Sequence, residues 1–132
     1  MKYSKATNYA LHTMMYLIAY ATDKPIGVQQ LAELQSVSPT YLSKILTKLV
    51  KAGLIESASG ANGGYRVRGA REDISFLDII RAIEGNVSLF ECCGDDNSPC
   101  LIHQVMLASE EAMEQHLKNT RLVDIANQIP RV

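Results

Sequence analysis

The sequence predicts a mainly α fold: a winged helix-turn-helix with a two-stranded wing and a long C-terminal helix. Three observations predict it. A short helical segment, a tight Ser36-Val37-Ser38 connection and a capped second helix follow one another between residues 28 and 52. A glycine-rich run, Ser59 to Gly64, lies between two short apolar segments, as in a hairpin. Apolar residues then recur at helical spacing from Leu101 to Leu117.

The elements follow in order. The first helix spans about Ser4 to Ala21, with Ala6, Ala10, Met14, Leu17 and Ile18 on one face. Lys24, Pro25 and Gly27 break it. The second runs from Val28 to Gln35, with Leu31, Ala32 and Leu34 expected to turn inward. Ser38 is a good N-cap and Pro39 suits the first helical position. The third helix runs to about Ala52 and stops at Gly53, burying Leu42, Ile45, Leu46 and Leu49. Leu54 and Ile55 open the first strand of the wing, and Tyr65-Arg66-Val67 forms the second. Ser75, with Asp78 at the capping-box position, starts a helix bearing Phe76, Ile79, Ile80 and Ile83, and Gly85 ends it. Residues 88–99 read as an irregular loop. A long helix runs from about Pro99 to Lys118, with Leu101, Val105, Ala108 and Ala112 as a stripe that Ile102, Met106, Met113 and Leu117 broaden. A short helix from Leu122 to Asn127 closes the chain. The expected organisation is one compact domain, with a winged helix-turn-helix over 1–86, a cysteine segment over 87–99 and the helical end over 100–132.

Composition narrows the function. The chain has 132 residues, of which 47% are apolar, enough for one domain with a real core. No run reaches the roughly 18 apolar residues of a membrane span, and no secretory leader is evident, so a cytoplasmic protein with no membrane association is expected. A net charge of −1 hides an asymmetry. Residues 1–81 hold ten Lys/Arg and six Asp/Glu, a balance of +4, whereas residues 82–132 hold three and eight, a balance of −5. The front half can approach phosphates, and the back half is repelled by them. There is no Cys-x-x-Cys pair, no phosphate-binding glycine loop before a helix and no nucleophile motif, so an enzyme is not expected.

The third helix carries the function. A helix that enters the major groove of DNA needs small polar groups at its N-terminal end and cations within reach of the phosphates. Ser38, Thr40, Tyr41 and Ser43 supply the first set, with Thr40, Tyr41 and Ser43 as candidate base readers. Lys44, Lys48 and Lys51 fall on one face, away from the leucines, and each can neutralise a phosphate. The wing can reach the minor groove through Ser59 and Asn62, although both are equally suited to being plain turn residues. Arg66 and Arg68 at its base are candidate backbone contacts.

Cys92, Cys93 and Cys100 cluster within nine residues. An odd, tight set in a cytosolic protein argues against a disulfide framework and points to a metal, a cluster or redox chemistry.

Six stretches carry a family resemblance: KYSKATNYALHTMMYL, SVSPTYLSKILTKLVKAGLIES, GANGGYRV, ISFLDIIRAIEG, CLIH and NTRLVDI. Together they cover nearly the whole chain and resemble the Rrf-two (Rrf2) family of bacterial transcription regulators. The resemblance implies a homodimer on a roughly palindromic double-stranded operator, with the long helix as the dimerisation helix. It also implies an iron-sulfur cluster (2Fe-2S or 4Fe-4S) held by Cys92, Cys93, Cys100 and, as in some members, His103. Thiol-based sensing through Cys92 or Cys93, zinc binding and inert cysteines stay open beside it, because two of the cysteines are adjacent where the family spaces them apart. Ser59 stands where members often carry an arginine, and Asn8, a poor iron ligand, where some carry a carboxylate. The expected function is a sequence-specific DNA-binding transcription regulator, read first as a repressor, whose operator affinity is controlled by an iron-sulfur cluster or by redox-active cysteines. The alternatives are a cofactor-free repressor and, from another class, a small redox or cluster-carrier protein.

Overall fold

A computed structural model of the chain describes residues 3–86, 88, 90 and 100–130. Helix α1 (Lys5–Tyr20) is its central element, burying Ala10, Met14, Leu17 and Ile18 together with Thr7 and Thr13. It packs against α3 (Pro39–Lys51), α4 (Phe76–Glu84) and α6 (Leu122–Ala126). Both its ends are tied down by other elements. At the C-terminal end Arg71 Nη1 donates to the Ile18 carbonyl at 3.1 Å. At the N-terminal end Ser4 makes no side-chain bond to its own helix. Instead Glu84 Oε2 accepts from Ser4 N–H (2.7 Å), Ser4 Oγ (3.0 Å) and Thr7 Oγ1 (2.6 Å). A carboxylate is favoured there by the positive end of the helix dipole.

Helix α2 (Val28–Gln35) buries Leu31 and Ala32. Leu34, expected inward, is 41% exposed. At 100° per residue it lies roughly 110° from the centre of the buried arc of an eight-residue helix. Gln35 takes the inner place, and its Nε2 donates to the buried Thr13 hydroxyl at 2.8 Å. Ser36 then turns the chain through a left-handed conformation, φ 54°. Ser38 Oγ accepts from Tyr41 N–H at 3.2 Å, so α3 starts where its cap and Pro39 dictate. Leu42, Ile45, Leu46 and Leu49 are buried, and truncating one of them would cost about 2–5 kcal/mol.

The wing is the antiparallel pair β1 (Ile55–Ala58) and β2 (Gly64–Val67), in register from Ile55–Val67 to Ala58–Gly64. Tyr65 also exchanges two backbone hydrogen bonds with Ile26, at 2.8 and 2.9 Å, which seats the wing on the connection between α1 and α2. This seat requires glycine at position 64. Its φ is 149°, and a Cβ there would lie 2.5 Å from the Ile26 backbone.

A 3₁₀ turn, Arg71–Asp73, leads to α4, which opens with both bonds of the Ser75/Asp78 capping box. Helix α5 (Leu101–Asn119) packs along α4 and returns to its start: Phe76 N–H bonds the Thr120 carbonyl and Leu122 N–H the Ile74 carbonyl. The apolar surface of α5 divides into two. Met106, Met113 and Leu117 are half-buried, whereas Leu101, Ile102 and Val105 are 75%, 69% and 65% exposed. Among the described residues no helix is long and apolar enough to cross a membrane.

Candidate nucleic-acid interface

The amphipathic pattern of α3 fixes which side chains it offers. With its leucines in the core, Lys44, Lys48 and Lys51 are all exposed. Ser38, Thr40 and Tyr41 are exposed at its N-terminal end, and Ser43 is half-buried. Thr47 lies between the lysines, but its hydroxyl is turned back onto the Ser43 carbonyl at 2.9 Å. The N-terminal turn of α3 and its lysines thus form one open, cationic surface.

The wing adds a second edge. Ser59 and Asn62 are exposed at its tip, in a turn closed by Gly63 N–H on the Gly60 carbonyl. Arg66 is partly engaged: its Nε lies 3.0 Å from Glu56 Oε1 on the facing strand, with both side chains about half exposed. Such a pair contributes about 0–1 kcal/mol, so a phosphate can displace it. Arg68 is exposed as well.

Three residues, Tyr9, Glu84 and Tyr3, give no sign of a role in the sequence. Tyr9 on α1 meets Tyr41 edge to face, with ring centroids 5.7 Å apart. Glu84 sits close enough to Lys48 to feel its charge. Burial raises the Glu84 carboxyl, but hydrogen bonds from Thr7 and Ser4 and the Lys48 ammonium together outweigh it and hold the group below the usual carboxylate range. Tyr3, just before α1, has its phenol pushed up, by burial first and then by Glu114, Glu110 and Glu84. No pattern in the sequence announces these contacts, because each joins residues far apart in the chain.

A family model, Rrf2, described as an iron-dependent transcriptional regulator, matches residues 3–128. The chain belongs to the Rrf2 family. Within it, the chain is similar to the HTH-type transcriptional regulator NsrR of Halalkalibacterium halodurans, 33% identical over 105 residues that cover 80% of this chain and 72% of that one. Among solved structures it is similar to CymR (YrzC), the global cysteine regulator of B. subtilis, with a TM-score of 0.86 at 28% identity, covering 98% and 99% of the two chains. T. potens IscR gives a TM-score of 0.82 at 27% identity, covering 100% and 94%. The Rrf2 winged helix-turn-helix expected from the sequence is therefore the fold of this chain, and its relatives are transcriptional regulators.

The cysteine segment is only partly in view. Cys92 and Cys93 lie outside the described residues. Cys100 is half-buried at the N-cap of α5, and its Sγ accepts from His103 N–H at 3.4 Å. His103 Nδ1 is buried without a hydrogen-bond partner among the described residues, beside the Phe90 ring at 5.9 Å. Among the described residues no group of three or more His, Cys, Asp or Glu could hold a metal ion. Asn8 is exposed on α1, where its carbonyl lies 2.8 Å from His12 Nδ1.

Proposed function

We propose that this Rrf2 protein is a cytoplasmic, sequence-specific repressor that binds double-stranded operator DNA as a homodimer. In this reading α3 lies in the major groove, with Ser38, Thr40, Tyr41 and Ser43 at the base edges and Lys44, Lys48 and Lys51 on phosphates. Ser59, Asn62 and Arg66 of the wing lie against the neighbouring minor groove and backbone. The observation that carries it is the division of α3, with four aliphatic side chains buried and three lysines exposed on the opposite side. Lysines on an open helix supply affinity for phosphate, and the polar N-terminal turn supplies the groups that discriminate bases.

The exposed face of α5 supports the dimer. Leu101, Ile102 and Val105 are large, aliphatic and exposed, and no Asp, Glu, Lys or Arg occurs from Leu101 to Ser109. A second copy of the same helix covers such a face by two-fold symmetry. Symmetry then requires two matching half-sites, roughly 34–36 Å or a multiple of that apart.

The control element in this reading is the cysteine segment, and an iron-sulfur cluster is the ligand it suits. His103 Nδ1, buried without a hydrogen-bond partner among the described residues, supports the fit, since a buried ring nitrogen without a partner is costly unless something occupies it. Cys92 and Cys93 would complete the ligand set with Cys100 and His103. A bound cluster would supply a redox-reactive, charged centre at the start of α5. The chain's own part is to anchor that start: Cys100 caps α5, and α5 carries the dimer face and packs on α4.

The test is anaerobic purification followed by a visible spectrum, iron and sulfide analysis, and a mobility shift on promoter DNA. Brown protein whose shift is lost after oxidant, nitric oxide or chelator supports the whole reading. Colourless protein with three titratable thiols moves control to thiol chemistry or removes it. Absence of any salt-dependent shift refutes DNA binding itself.

A further inference from the structure

Tyr41 is held at two points before any DNA arrives. Its backbone N–H bonds Ser38 Oγ at 3.2 Å, which fixes the first turn of α3. Its ring meets the ring of Tyr9, with planes at 83° and centroids 5.7 Å apart. Tyr9 belongs to α1, is half-buried and packs against the core, so it is the more rigid member of the pair. Tyr41 is 37% exposed, at the end of α3 where base readers stand.

We propose that Tyr9 is a positioning residue for operator recognition: it presets the Tyr41 ring and thereby sets base preference without contacting DNA. The proposal rests on the reading of α3 as the recognition helix. An exposed tyrosine otherwise divides its time among staggered side-chain rotamers. An edge-to-face aromatic pair biases that population by about twofold to tenfold. A ring already in place loses less entropy on binding, and the gain falls on the sequence that fits its direction. Phosphate affinity is untouched, because Lys44, Lys48 and Lys51 do not depend on the ring. Removal of Tyr9 should therefore reduce discrimination while leaving non-specific binding intact.

The experiment uses the full-length dimer and an operator selected from a random duplex library by the wild-type protein. Affinities for that operator, its single-base variants and a random duplex are measured by fluorescence anisotropy at one salt concentration. The proteins are wild type, Tyr9→Phe, Tyr9→Leu, Tyr9→Met, Tyr41→Ala and Tyr9→Leu combined with Tyr41→Ala. Tyr9→Leu and Tyr9→Met should lower the operator-to-random ratio by about twofold to tenfold with unchanged random-duplex affinity. Tyr9→Phe keeps the ring and should stay near wild type. The double variant should match Tyr41→Ala, because the Tyr9 effect passes through Tyr41. Having two ringless variants guards against one of them misfolding, which a thermal melt reports. A full ratio in a folded ringless variant overturns the proposal. So does a Tyr9 effect that persists undiminished when Tyr41 is already alanine. If Tyr41→Ala itself keeps the wild-type ratio and base profile, the reading of α3 fails and Tyr9 falls with it. If Tyr41→Ala shifts the profile and the Tyr9 variants do not, only the Tyr9 proposal falls.

Discussion

Replacing Lys48 by glutamine tests the electrostatic half of the interface quantitatively. Lys48 is exposed in the middle of the lysine face of α3, one turn from both Lys44 and Lys51. In a symmetric dimer the substitution removes two cations. Each phosphate neutralised contributes a slope of about −0.9 to the dependence of log K on log salt, so the slope should become shallower by about 1.8. Between 50 and 200 mM salt the affinity gap between wild type and variant should then narrow on the order of tenfold. The loss should be nearly equal on operator and random duplex, because a phosphate contact carries no sequence information. Anisotropy titrations at four or more salt concentrations measure it. Lys48 also helps to keep Glu84 ionised. The accompanying change in folding stability should stay below about 1 kcal/mol, as for an exposed charge pair, and urea unfolding checks that. A slope unchanged by the substitution on both duplexes would remove Lys48 from the interface. A loss confined to the operator would mean that it reads bases instead.

Three further outcomes are expected. Gly64→Ala should destabilise the protein by about 2 kcal/mol or more, lowering Tm by on the order of 5–10 °C, because its Cβ meets the Ile26 backbone and its φ of 149° suits only glycine; a wild-type melt would show that the wing does not need that seat. If the chain is the proposed dimer, Val105→Glu should weaken dimerisation by at least about 100-fold, since two carboxylates would be buried in one interface, and sedimentation at micromolar concentration would then show monomers; an unchanged mass would remove Val105 from any such contact. Glu84→Gln should cost about 1 kcal/mol near neutral pH, after allowance for water access to the carboxylate. Because the folded carboxyl lies below its unfolded value of about 4.5, that stability is fully present above this range and is lost as pH falls through the folded value. Wild type and variant should therefore converge in acid, and a difference that stays constant down to pH 3 would show that the bonds to Ser4 and Thr7 do not depend on charge.

The helix boundaries were legible because local chemistry sets them. Ser38 before Pro39, and Ser75 three residues before Asp78, can satisfy first-turn N–H groups, and in the structure they do. Gly53 and Gly85 end their helices at φ 78° and 80°, and with ψ −167° Gly85 stands in a region that essentially only glycine occupies. Where a boundary or a face depends on tertiary partners, local chemistry misleads. Leu34 is as apolar as Leu31, yet the phase of a short helix points it outward and leaves the inner place to Gln35. Ser36 adopts a left-handed conformation that nothing in its own chemistry requires. The stripe of α5 was visible, but its division into a face on α4 and an open face was not. Both halves share the same spacing, and only the packing of α4 decides between them.

The candidate interface was legible to a different degree for each kind of residue. A lysine spaced one turn from other lysines on an amphipathic helix has little physical choice. Burying its ammonium would cost far more than the helix could offset, so exposure follows from the leucines opposite. Tyr41 has a choice, since a phenol can lie on apolar surface or reach outward from it. The ring it meets is that of Tyr9, on another helix, and that contact depends on how α1 crosses α3. The same holds for Glu84, which reads as one more surface carboxylate until the start of α1 is brought against it. If α3 is the recognition helix, as proposed, phosphate affinity is encoded within one helix, whereas the direction of a base reader is encoded in the packing of two. Substitutions on α1 can accordingly change what α3 prefers to bind while leaving every residue of α3 in place.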